Sequence, residues 1–171
     1  QPDRLDLMRI QSADLEIQRV PFARPFAFKG SAFHEKWNML ARLENDAGHK
    51  VIGVGGLAVL WSDAAVFAAH TEVGGNLLQS ALLERALQIV KGRSFEHPSD
   101  VFDYVIDEIH DYAQAITGNP GVRRPFALIA MVALDNAAWL LHAVEGNCRS
   151  FDDMLPAACR GRLAHRQSHV A

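Results

Sequence analysis

The apolar residues of this chain change their period once, near residue 56, and that change restricts the possible folds more than any other feature. Before it they alternate with polar residues at every second position, the spacing of half-buried strands. Beyond it they recur every three to four positions, the spacing of amphipathic helices. Strands first and helices afterwards is the order of an α+β fold. In "SADLEIQRV", residues 12–20, Leu15 and Ile17 share one face while Glu16 and Gln18 share the other. "WNMLARLE", residues 37–44, alternates again. "NDAGHK", residues 45–50, then supplies turn residues just before "VIGV" and predicts an antiparallel hairpin. The expected architecture is a three-stranded antiparallel β-sheet followed by a helical bundle.

Between the first two strands, "PFARPFAFKGSAFHEK" (21–36) carries two prolines and four phenylalanines, which predicts a long aromatic loop. Phe22, Arg24, Phe26, Phe28, Phe33 and His34 have the chemistry to wall a pocket, with Arg24 or His34 meeting an anionic group. The same phenylalanines would serve equally to pin a loop onto the helices, and both readings stay open. Helices are expected over 76–92, capped by Asn76 and stopped at Lys91 and Gly92, and over 99–118, capped by Ser99 and ended by Gly118. A third, about 125–145, is apolar nearly all round and belongs at the centre of the bundle. A short turn is expected over 151–156. Asp135, Asn136 and His142 interrupt the run from Pro125 to Val144, which argues for a core helix over a membrane span. A carboxyl group in such surroundings needs partners. Asp135 is therefore expected to accept hydrogen bonds from neighbouring segments and fix helices to sheet, with replacement by Ala costing about 1–3 kcal/mol.

Length and charge exclude several classes. The 171 residues fit one domain, and 49% hydrophobic with 22% charged residues can bury a real core. A net charge of −3 without a basic stripe excludes a phosphate-backbone partner. "QPDRLDLMRI" lacks the pattern of a secretory leader, and only two cysteines, Cys148 and Cys159, occur, so a reducing, cytoplasmic setting is expected.

Several motifs suggest chemistry and fall to their context. Gly53, Gly55 and Ala58 fit a G-x-G-x-x-A dinucleotide fingerprint. The segment follows a hairpin turn and does not feed directly into a helix, so glycines permitting close backbone approach are the better reading. Asp100, Asp103, Asp107 and Asp111 share one helical face, which reads as solvated rather than metal-binding. His165 and His169 stand four apart beside Cys159, but no C-x-x-C accompanies them. No G-x-S-x-G elbow exposes a serine nucleophile.

In order, "IQRVPFARPFAF", "MLARLENDAG" running into "VIGVGG", and "ALDNAAWLL" with Asp135 and Trp139 resemble the N-terminal capping domain of the enolase superfamily, in the mandelate racemase and muconate lactonizing enzyme branch. The likeness covers about residues 12–156. It leaves 1–11 as an N-terminal extension and 157–171 as a tail or linker toward a missing barrel. It implies a lid that closes over a (β/α)₈-type barrel and selects substrate through two loops, by position Pro21–Glu35 and about Gly55–Gly75. Phe22, Arg24, Phe26, Phe28, His34 and Trp61 become the substrate-facing candidates, and Asp135 and Trp139 the structural ones. The family's bases and magnesium ligands lie on the barrel. This chain is accordingly expected to hold no catalytic residue, no metal and no cofactor, while the parent uses Mg as an isomerase or lyase acting beside a carboxylate. The implied partners are the barrel, a carboxylate-bearing small molecule and further copies of the same chain, with no nucleic acid and no membrane. Two departures, "GVGGLAVLW" where a Glu is usual and Leu140 where a second acid is usual, leave the substrate open. The alternative is a stand-alone interaction or oligomerisation module whose loop aromatics bind a partner. A small-molecule domain using the glycine-rich strand end comes third.

Overall fold

The computed structural model describes residues 7–155, so Cys159, His165, His169 and the 157–171 segment lie outside the described residues. Three long strands come first: β1 (Met8–Phe28), β2 (Ser31–Asn45) and β3 (Lys50–Gly56). They are followed by α1 (Val59–Ser62), α2 (Ala64–Val90), β4 (Ser94–Phe95), α3 (Pro98–Thr117), α4 (Arg124–Ala130), α5 (Val132–Glu145) and α6 (Phe151–Met154). The fold is α+β with an antiparallel sheet of four strands, ordered β3-β2-β1-β4. The fourth strand escapes a sequence reading because it is only Ser94 and Phe95, paired with Arg9 and Met8. β1 accordingly starts at Met8, ahead of the expected residue 12.

Alternation in β2 is clean: Trp37, Met39, Ala41 and Leu43 are buried against the helices. With Ile10 of β1, Leu82, Leu83 and Ala86 of α2, Val105 and Ile109 of α3, and Leu134 and Leu141 of α5, they form one continuous core. The glycines of β3 set how closely that core closes. A Cβ at Gly53 would fall on the backbone of Ala133 and Ala137, and one at Gly55 would lie 2.6 Å from the Ala133 amide nitrogen. Helix α5 thus rests directly on the β3 backbone, small residue against small residue. The fingerprint-like glycines are a packing device in an antiparallel edge strand.

Three expected elements change in three dimensions. The 125–145 helix is two helices bent by 45° around Met131, so that α4 lies against α2 and α3 while α5 crosses β3 and β2. No single helix among the described residues is long and apolar enough to cross a membrane. The helix expected from Asn76 begins at Ala64, capped by Asp63, whose side chain accepts from the Ala65 and Val66 amides. Asn76 instead sits inside α2 and is buried. The cap of α3 is His97, not Ser99: its ring accepts from the Ser99 amide, with Asp100 closing the box and Pro98 in the first turn. Gly118, at φ 63°, ends α3 as expected.

Asp135 is half-buried, with Trp139 one turn along the same helix as the nearby group that favours its charged form. The bond from α5 to the sheet is made by its neighbour, as Asn136 Nδ2 donates to the Val54 carbonyl at 2.8 Å. Burial raises the Asp135 carboxyl above its ordinary range, and Trp139 only partly offsets this. A raised carboxyl holds its proton more tightly when folded, so stability falls as pH rises from about the unfolded value through the folded one, and the full cost remains above both. Asp135→Asn keeps an acceptor for the indole N–H and removes the charge. It is expected to be more stable than the parent chain at pH 7, with the gain shrinking as pH falls toward the carboxylate range. Urea denaturation across that range checks this, and equal stability at pH 7 would refute it.

Candidate functional site

The aromatic segment 21–36 is a hairpin arm. Pro21 pairs with Glu35, and pairing resumes at Phe26–Phe33 and runs to Phe28–Ser31. In between, Phe22–Pro25 bulge opposite His34. Lys29 and Gly30 form the tip, both at positive φ (50° and 76°), the geometry of a two-residue turn that follows strand twist. The prolines misled the loop expectation because β1 is an edge strand here. Its neighbour β4 reaches only Met8 and Arg9, so a missing N–H at 21 or 25 breaks no ladder on that side.

The second expected loop, Gly55–Gly75, is the end of β3, α1 and the first part of α2. Helix α2 breaks at Thr71, which sits at φ 65°, ψ 176°, a strained backbone for a β-branched residue. Thr71 Oγ1 accepts from the Gly74 amide, restarting the helix. The break directs Glu72 at the hairpin arm. Glu72 Oε1 accepts from the backbone amides of His34 (2.7 Å) and Glu35 (3.1 Å), and Oε2 lies 3.0 Å from His34 Nδ1. One carboxylate therefore ties the arm to the helical corner.

Between arm and corner lies a cleft. The arm contributes Phe28, Phe33, Glu35 and Lys36. The β3–α1 link contributes Leu57, α1 contributes Val59, Leu60 and Trp61, and α2 contributes Phe67, Glu72 and Asn76. Arg19 clamps Glu35 with two bonds, at 2.9 and 2.7 Å, while stacking 4.8 Å from the Trp37 ring. That guanidinium holds the Glu35 carboxyl below the usual range. Lys36 Nζ donates to the Leu57 carbonyl at 2.7 Å.

Of the expected substrate-facing residues, the fold brings Phe28 and Trp61 to the cleft and His34 beside it on Glu72. Phe22 and Phe26 instead pack on Phe33, at centroid distances of 5.8 and 5.2 Å, and Arg24 is exposed on the bulge. Trp139 lies outside the cleft, edge-on to His97 at 5.0 Å. Glu35, Lys36 and Glu72 carried no sequence motif. Among the described residues no group of three or more His, Cys, Asp or Glu is placed to hold a metal ion, and Asp107 of the acidic face pairs with Arg124.

Glu72→Ala is expected to loosen the arm. Exchange of the His34 and Glu35 amides should speed up on the order of tenfold, with about 1 kcal/mol of stability lost. Hydrogen exchange read by NMR checks it, and unchanged protection at both amides would show that the arm is held by other means.

Against solved structures, this layout of sheet, arm and helices matches L-talarate dehydratase from Polaromonas sp. JS666, complexed with Mg and L-glucarate, at a TM-score of 0.50 and 21% identity over 80% of this chain. It also matches an enolase from alpha proteobacterium bal199 with bound Mg, at 0.52 and 16% over 82%. The chain has the fold of an enolase-superfamily N-terminal capping domain. No family model and no curated protein matches its sequence. This capping-domain fold spans about a third of the matched chains, 32% of each. In this fold, the cleft is where the two segments singled out in the sequence meet.

Proposed function

We propose that this chain is the lid of an enolase-superfamily protein and that its cleft faces the substrate of a barrel domain. The observation that carries the reading is convergence: the hairpin arm and the Gly55–Gly75 corner, far apart in sequence, wall one cleft and are tied together by Glu72. The shared fold and the one-third coverage of the matched chains support it. In this reading residues 12–156, extended by the Met8–Gln11 part of β1, form the lid, and 157–171 lead toward the barrel. The barrel abstracts a proton beside a carboxylate, and the lid excludes water and selects among acids.

Magnesium bound in both matched structures has no ligand set among the described residues here. Glu35 is committed to Arg19, and Glu72 to His34 and two amides. We therefore assign the metal, and the acid–base groups, to the barrel. A cytoplasmic homo-oligomer completes the proposal. Ile52 and Val54, about half exposed at 53% and 50% on the edge strand, are the surface from which association would start.

Expression of the gene to its natural stop codon tests the reading. The product should contain a barrel and exchange the α-proton of a carboxylic acid in D₂O with Mg present. Trp61→Ala should change the ranking of acids while leaving Mg affinity unchanged. A stop codon after Ala171, with a well-folded 171-residue product, would overturn the lid function and favour the interaction module.

A further inference from the structure

Helix α6, away from the cleft, is held with little apolar burial. It packs against α5, yet none of its four residues is buried, and Phe151 at its start is 72% exposed. At its C-terminal end lies a crevice lined by His97 and His142 together with Met154 and Leu155. The two imidazole rings stand 5.6 Å apart, centroid to centroid, and the Trp139 ring is nearly perpendicular to both. Each histidine meets a different stretch of backbone. His97 Nδ1 accepts from the Ser99 amide and lies 2.7 Å from Ser99 Oγ, which caps α3, while the Met154 backbone lies against His142.

The His97 cap requires a neutral ring. An imidazole that accepts at Nδ1 carries its proton on Nε2, and His97 Nε2 is buried with no hydrogen-bond partner among the described residues. An imidazolium has no lone pair for the Ser99 amide, and it would set a positive charge at the N-terminus of α3, the unfavourable end of that helix. A charge on His142 would then face a second one at ring contact. The acids around the pair already hold other donors. Asp100 accepts from the His97 amide, Glu145 from Asn45 Nδ2, and Asp153 from the Arg149 and Ser150 amides. Glu96 also lines the crevice, and His49 and the paired Arg9 and Asp46 border His142 from the sheet side.

We propose that His97 and His142 form an acid-released clasp, which docks α6 on α5 at neutral pH and frees it when the rings become charged. Burial and the neighbouring His97 hold the His142 imidazole below its ordinary range, outweighing Glu145 and the Met154 backbone. A lowered imidazole binds fewer protons docked than released. Docking is therefore complete above the released value of about 6.5 and is lost as pH falls through it toward the docked value. Because α6 is the last helix of the described chain, the clasp decides whether the chain leaves the domain from a docked or a loose segment. The device lies in this chain alone and does not rest on the lid reading.

The test follows the ¹⁵N-labelled 171-residue chain by NMR from about pH 7.5 to about pH 5, above the ordinary carboxyl range. The ring signals of His97 and His142 should titrate together with the amides of Ser150, Asp153 and Leu155. Exchange protection at Asp153 and Leu155 should fall on the order of tenfold, while Val105 and Ile109 in the core stay unchanged. His142→Gln, which cannot take a charge, should keep α6 docked at the acid end. His97→Asn keeps a neutral cap acceptor and removes the like charge, so it should roughly halve the loss of protection. Asp135, whose carboxyl is raised by burial one turn before Trp139, is the acid closest to this range, and Asp135→Asn should show the same transition. Signals of α6 that do not change with pH would overturn the proposal. So would a transition that persists in His142→Gln, is undiminished in His97→Asn, or vanishes in Asp135→Asn.

Discussion

Gly53→Ala is expected to cost about 3 kcal/mol or more, at or beyond the upper end for overpacked cores. The added methyl would fall on the Ala133 carbonyl and the Ala137 amide, and these are backbone atoms of a buried helix, not the movable end of a side chain. Relief requires α5 to lift from β3. That would strain the Asn136–Val54 bond and open the packing around Ala133, Ala137 and Leu141, all buried. Gly56→Ala, three residues on, is the internal control, because its methyl meets only the flexible end of Lys36. Urea denaturation of the two variants should separate them by about 2 kcal/mol or more. A Gly53→Ala variant within 1 kcal/mol of the parent chain would contradict this close approach.

Asp63→Ala is expected to cost about 2–4 kcal/mol. Asp63 is 3% exposed and accepts three backbone N–H groups: Ala65 (3.0 Å) and Val66 (3.1 Å) on Oδ1, and Arg123 (2.8 Å) on Oδ2. Loss of the helix cap alone costs about 0.5–2 kcal/mol. The Arg123 amide, which opens α4, is then left without its acceptor, at about 1–3 kcal/mol more. One side chain thus locks the start of α2 to the start of α4, and the corner it holds forms one wall of the cleft. Asp63→Asn keeps one oxygen acceptor and should lose roughly half as much. Denaturation together with hydrogen exchange at Ala65, Val66 and Arg123 checks both, and unchanged protection at Arg123 would remove the cross-link from the account.

Local pattern made much of this legible before any coordinates. The period-two alternation from Trp37 to Leu43 put the right residues inside, because a strand face is determined by position along the chain alone. Gly118 ended its helix because a positive φ is inexpensive only for glycine. Where local signals conflicted with partners distant in sequence, they failed. The prolines at 21 and 25 read as a loop, although an edge strand tolerates them. Asn76 looked like a cap, whereas Asp63, thirteen residues earlier, performs that function and also reaches Arg123. The expected bond between Asp135 and neighbouring segments belongs to Asn136, one residue on and turned toward the sheet.

The resemblance to the enolase superfamily supplied the pair of segments to watch for substrate, while alternation, helical spacing and turn residues determined an α+β order of strands then helices and the buried face of β2, though not that of β1, where Ile17 stays 40% exposed. These are properties of neighbours along the chain, and periodicity records them. Tertiary structure alone decided that the two segments share a cleft, that Glu72 joins them, and that Lys36 reaches across it to the Leu57 carbonyl. Those outcomes depend on a helix break at Thr71 and on two glycines that let α5 rest on β3. Sequence distance carries no record of which charges will be neutralised and which left open, because that is set only when the packed backbone brings donors and acceptors within a few ångströms.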